Sequence, residues 1–182
     1  MSAPDDAEAA TRRWLERAVI GLNLCPFAKA VHVRRGIRFV VSEARDVEAL
    51  QAELERELER LSSAMPEEIE TTLLIHPHVL ADFLDYNDFL DDADGCVAAL
   101  GLEGEIQVAS FHPDYRYADT EPDDAGNYTN RSPYPTLHLL REASIEQAVA
   151  AFPDAASIFE RNIETMRKLG PAGWRALFEA LP

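Results

Sequence analysis

The chain has 182 residues, 47% of them hydrophobic, and a formal net charge of −16. That length allows one domain with a substantial core. The charge argues against nucleic acid and anionic membrane surfaces as partners, since both need clustered Lys and Arg.

No stretch approaches the roughly 18 apolar residues of a membrane span. The N-terminus, MSAPDDAEAATRRW, is acidic and lacks the basic-then-apolar order of a signal peptide. Both features lead to the expectation of a cytoplasmic protein. Cys25 and Cys96 share no paired spacing, and a structural disulfide is not expected in that compartment.

In chain order, a first helix is expected from about Ala7 to Leu22, with Trp14, Leu15, Ala18, Val19 and Leu22 on one apolar face. Asn23 and the Cys25-Pro26 pair interrupt it, and PFAKAV forms a short second turn. Ile37 to Val41 is short, apolar and β-branched, and reads as strand one. Asp46 caps a helix whose buried stripe is Val47, Leu50, Leu54, Leu58 and Leu61, ended by Pro66. Thr71 to Ile75 is strand two. His76-Pro77 then opens a helix carrying Leu80, Phe83, Leu84, Asn87 and Leu90. Ile106 to Phe111 is strand three and Thr136 to Leu140 strand four. Ser144 with Gln147 matches a capping box for a helix to about Ala151. Asp154 caps another, with Ile158, Phe159, Ile163 and Met166 inward, ended by Gly170-Pro171. Trp174, Leu177 and Phe178 mark a last docked helix.

The element order α-β-α-β-α-β-loop-β-α-α predicts an α/β sandwich of two or three layers around a four-stranded mixed sheet. Residues 1–182 form one domain in this reading, with 143–182 a helical C-terminal extension packed on it. If strands one to three are parallel, their carboxyl ends share an edge. A thioredoxin-like arrangement has a similar order but reverses strand three, and both remain open at this point.

Between strands three and four lies FHPDYRYADTEPDDAGNYTNRSPYP, with four of the five tyrosines and four of the eleven prolines. A structureless connection of about 25 residues inside a domain is usually functional or disordered. Disordered segments are poor in aromatics, so an ordered, site-building loop is expected.

The parallel reading collects Ser42, His76, His112 and the start of strand four at the edge where open α/β sheets bind ligands. His76, His112 and His138 come from three strands and are candidate ligands of a divalent transition metal, with Asp114 or water completing the shell. The alternatives are a capping His76 and a half-buried His138. Neutral ligands with open positions suit iron or copper redox chemistry and zinc hydrolysis equally, and Cys25 with several tyrosines close by tips the expectation slightly towards redox. Cys25, before a Pro that starts a helical turn, is a candidate thiolate nucleophile, and equally a small buried apolar residue. Cys96 reads as structural. Arg131 is a candidate bidentate anchor for a carboxylate or phosphate, or else pairs with Asp123 or Asp124. Asn127, Asn130 and Ser132 would orient that ligand, and Tyr128 and Tyr134 would wall its pocket. Arg141 and Glu142 read as a structural pair.

The segments IGLNLCPFAKAV, HPHVLADFLDYNDFL, FHPDYRYAD and GNYTNRSPYPTLHLLREASI together resemble DUF1415, a bacterial family of about this length. The resemblance covers nearly the whole chain, and NRSPYPTLHLLRE is its most specific part. It implies that Cys25, His112, Asn127, Arg131, Ser132 and His138 are motif positions, and it assigns none of them a reaction. The expectation from residues is thus an enzyme acting on a small anionic molecule, with His112, His138 and Cys25 catalytic. Two other readings stand beside it: a metal-free thiol enzyme using Cys25 with His112 or His138 as base, and a non-catalytic protein that binds a ligand or partner.

Overall fold

The four apolar runs pair into one sheet in the computed structural model, which describes residues 3–152, 154 and 157–179. The strands are β1 (Ile37–Val41), β2 (Thr71–Ile75), β3 (Ile106–Phe111) and β4 (Thr136–Arg141), in the order β1-β2-β4-β3. β1 pairs parallel with β2, while β4 is antiparallel to both β2 and β3. Strands one to three therefore run one way and strand four is the reversed one. This excludes the thioredoxin-like alternative, and it gathers the ends of β1, β2 and β3 at the edge where β4 begins.

Among the described residues, six α-helices accompany the sheet: α1 (Ala3–Trp14), α2 (Ala28–Val33), α3 (Val47–Ser63), α4 (Phe83–Ala99), α5 (Glu142–Ala151) and α6 (Ser157–Ala176). α1 runs on as a wider π-type stretch, Leu15–Ile20. Among the described residues, no helix is long and apolar enough to cross a membrane.

Strand alternation decides which side chains meet which helices. Leu74, Leu137 and Leu139 face α3 and α4, where Leu50, Leu54, Leu58, Leu61 and Tyr86 are fully buried. Burying each leucine contributes roughly 1.5–3 kcal/mol. The Asp46 carboxylate starts α3 by accepting the Ala49 N–H at 2.8 Å. On the opposite face, Ile37, Phe39 and Phe111 meet Trp14, Leu15, Ala18 and Val19, joined from the C-terminus by Trp174, Leu177 and Phe178. Helices thus cover both faces, the three-layer form of the expected sandwich.

The expected helix start at His76-Pro77 is displaced. Leu80 takes a left-handed φ of 58°, which a branched side chain adopts only when its surroundings impose it. α4 begins after Asp82, whose carboxylate accepts the N–H groups of Leu84 and Asp85. α5 likewise begins earlier than the Ser144 capping box, directly after β4 and without a side-chain cap. The proposed cap Asp154 accepts from the Ser157 N–H and hydroxyl through its main-chain carbonyl. Residues 155 and 156 lie outside the described residues.

α6 breaks where the sequence placed its end. Gly170 has φ 66°, with Pro171 following, a backbone setting that glycine adopts without the strain of a Cβ. The turn beyond docks through Trp174, stacked on Tyr128 at 5.4 Å, and through Arg17, which donates to the Leu177 carbonyl at 2.8 Å.

Candidate functional site

At the shared edge, β2 and β3 each end in a residue facing α1, Ile75 and Phe111, and both are in register with Thr136. The next residues, His76 and His112, therefore turn to the α4 side. Both are fully buried and flank Tyr86, with ring centroids 5.7 and 5.0 Å away. Tyr86 ties the edge together by donating to the Thr136 carbonyl at 2.8 Å and accepting the Phe111 N–H at 3.1 Å. Burial raises its pKa.

His112 uses both ring nitrogens on main chain. Nε2–H donates to the Leu80 carbonyl at 3.2 Å, and Nδ1 accepts the Asp114 N–H at 3.0 Å. Burial lowers its pKa, against the Leu80 bond and the carboxylates of Asp114 and Asp82. As seated, neither nitrogen is free for a metal or a substrate proton. His76 donates Nδ1–H to the Val79 carbonyl at 3.0 Å, and its Nε2 is buried without a partner. Burial pushes its pKa down to about 4. Two imidazole donors thus hold the backbone on either side of the strained Leu80.

His138 lies on the other face, opposite Leu73 and Ala109 and beside Phe111 at 5.9 Å. Thr71 Oγ1 donates to the Leu139 carbonyl at 2.6 Å, so it accepts Nε2–H of His138 at 2.7 Å. This fixes the tautomer. Burial pushes the His138 pKa down to about 4. The expected centre of His76, His112 and His138 is therefore not formed, because strand parity sends His138 to the face away from the other two. Among the described residues, no group of three His, Cys, Asp or Glu side chains is placed to hold a metal ion.

The loop's polar residues bond mainly to one another. Asn127 is fully buried; its oxygen accepts from Tyr117 N–H and Thr120 Oγ1, and its amide donates to the Glu121 carbonyl. Asn130 accepts the Tyr117 hydroxyl at 2.8 Å and donates to the Ser110 carbonyl at 3.2 Å. Ser132 donates to the Tyr134 carbonyl at 2.6 Å. Arg131 donates to the carbonyls of Tyr115 and Pro122 at 3.2 and 2.7 Å and lies over the Tyr128 ring. Of the two alternative partners Asp123 and Asp124, the second pairs with Arg167 at 3.1 Å. A loop without a ladder must satisfy its own backbone, and these side chains do so. Arg131→Ala should therefore speed amide exchange across residues 115–131 at least tenfold, as read by hydrogen-exchange mass spectrometry. Unchanged exchange would leave Arg131 available for the ligand role.

What stays open is a groove of about 320 Å3 between the loop and the C-terminal helices. Phe27, Val149, Ile158 and Phe159 give it apolar walls, and Tyr117, Thr129, Asn130 and Asn162 its polar atoms. Asn162 is pinned by donating to the Leu24 carbonyl at 2.8 Å. The half-buried free thiol of Cys25 sits between that anchored Leu24 and the wall residue Phe27, packed on the α1 cluster. A larger hollow of about 480 Å3 along α6 is lined by Glu160, Ile163, Glu164, Arg167 and Lys168. Its cations already face carboxylates, Lys168 on Glu164 and Arg167 on Asp124, so it offers no unpaired positive charge to an anion.

Of the groove residues, Asn130 is a candidate from the sequence; Phe27, Tyr117, Phe159 and Asn162 are not, because they come together from segments far apart in the chain, the last two from α6. The aromatic content of the loop was the one signal pointing to Tyr117. Neither curated proteins nor solved structures give a match to the chain. The family model described as "Protein of unknown function (DUF1415)" matches residues 6–176, and on that match the chain belongs to the DUF1415 family.

Proposed function

We propose that the protein binds a small uncharged molecule in the groove between the loop and the C-terminal helices. One observation carries this reading. Val149 and Phe159 are 50% and 52% exposed, come from two different helices, and converge on one concave site that no charged side chain among the described residues lines. Large apolar side chains left open around a hollow with a few polar groups are the usual makings of a ligand site. The absence of Lys and Arg among the lining residues turns the expected anionic ligand into an uncharged one. The loop network then has a purpose: it holds Tyr117, Thr129 and Asn130 as a rigid wall.

The test is a titration with indole, a neutral aromatic fragment, followed by amide NMR. Indole at millimolar concentration should shift the side-chain amides of Asn130 and Asn162, and Phe159→Glu should abolish the shifts. Shifts elsewhere, or none, would end the reading.

A second reading, thiol chemistry at Cys25, is favoured by that residue's place between Leu24 and Phe27. Indole should then slow alkylation of Cys25 by iodoacetamide. Equal rates with and without indole would separate the thiol from the groove.

A further inference from the structure

The groove's two side-chain amides define what it takes. Each Asn amide nitrogen carries two hydrogens, and the structure occupies one on each: Asn130 on the Ser110 carbonyl and Asn162 on the Leu24 carbonyl. Asn130 Oδ1 accepts the Tyr117 hydroxyl, whereas nothing among the described residues bonds to Asn162 Oδ1. Asn162 therefore retains one donor and one acceptor, and Asn130 retains a donor. The hydroxyl of Thr129 is already directed to the Gly126 carbonyl. Around these amides stand three aromatic rings, Phe27, Tyr117 and Phe159.

We infer that the ligand is a planar, uncharged aromatic ring bearing a carboxamide or lactam edge; this rests on the groove reading above. Aromatic walls favour a flat ring by edge and face contacts. An amide edge pairs with another amide in two hydrogen bonds, one each way, which a carboxylate cannot reciprocate because it has no donor. A site whose polar atoms are built to bond an N–H and a C=O rejects analogues lacking them, since its own groups are then left without partners. Both asparagines are pinned by their bonds to main-chain carbonyls, so their remaining polar groups are held in place before the ligand arrives.

The experiment compares four probes by NMR titration: nicotinamide, nicotinate, pyridine and N,N-dimethylnicotinamide. Nicotinamide should bind at least about tenfold more tightly than the other three, a difference of about 1.4 kcal/mol. Asn162→Leu should reduce nicotinamide to the level of pyridine. If that variant fails to fold, the dimethyl probe, which keeps the carbonyl and lacks the N–H, carries the same test from the ligand's side. Nicotinate binding as well as nicotinamide, or a dimethyl probe losing nothing, overturns the inference while indole binding leaves the groove reading intact. If neither indole nor any of the four binds, both fall together.

Discussion

Arg141→Met should lower the unfolding free energy by about 4 kcal/mol, the largest loss expected from any single change outside the apolar core. Arg141 ends β4, is 9% exposed, and its expected partner Glu142 is not what it holds. Nη2 lies 2.7, 2.8 and 2.9 Å from the carbonyls of Leu61, Ala64 and Ile69, and Nε donates to Ile69 at 3.2 Å. Leu61 is in the last turn of α3 and Ala64 is its C-cap, where carbonyls have no partners within the helix and the dipole favours a cation. Methionine keeps the apolar stem and removes every donor, so three carbonyls are left without this partner. Arg141→Lys keeps the charge but not the planar fork, and should lose roughly half as much. Urea unfolding checks this through the midpoint at constant slope. A Met variant within about 1 kcal/mol of the parent would show that these carbonyls find water instead.

The second large effect is acid instability. His76 and His138 are pushed from the ordinary 6.5 down to about 4, in each case chiefly by burial. Between those values the unfolded chain binds protons that the folded chain refuses, so stability rises with pH there. Their contribution is complete above 6.5 and is lost as pH falls from 6.5 towards 4. Each histidine accounts for about 3 kcal/mol of that loss, and a domain of this kind has only about 5–15 kcal/mol in total. Unfolding near pH 4 is expected. His76→Asn keeps a donor for the Val79 carbonyl and His138→Gln one for Thr71. The double variant should show a markedly flatter stability profile across this range. The same steepness in the double variant would assign the acid loss to carboxylates.

β1, β2 and β3 were legible to the residue, because IRFVV, TTLLI and IQVASF are short apolar runs bounded by turn residues. α3 was legible for a similar reason: its leucine stripe and Asp46 cap are local features. The histidine centre was not, because meeting in space depends on register. Had the pairing of Ile75 and Phe111 with Thr136 been known, parity alone would have put His138 across the sheet from His76 and His112. The displaced start of α4 has a different cause: Asp82 offers a side-chain cap, and it outcompeted Pro77 as a starting point. Arg131 shows the limit of residue type. A guanidinium announces donors, but the carbonyls of Tyr115 and Pro122 are anonymous in a sequence. Asn162 was invisible for the same reason, lying 138 residues from the carbonyl that pins it.

The order β1-β2-β4-β3 also bears on how the chain is made. Of the four strands β4 is the last to leave the ribosome, and it fills an interior place. β1 and β2 can zip together early, but β3 has no neighbour until residues 136–141 emerge. Throughout that interval the newborn chain exposes two unpaired strand edges on either side of one gap, the feature that recruits foreign strands. A chain halted before Thr136 therefore has a sheet with a missing middle, so β4 acts as the keystone of folding.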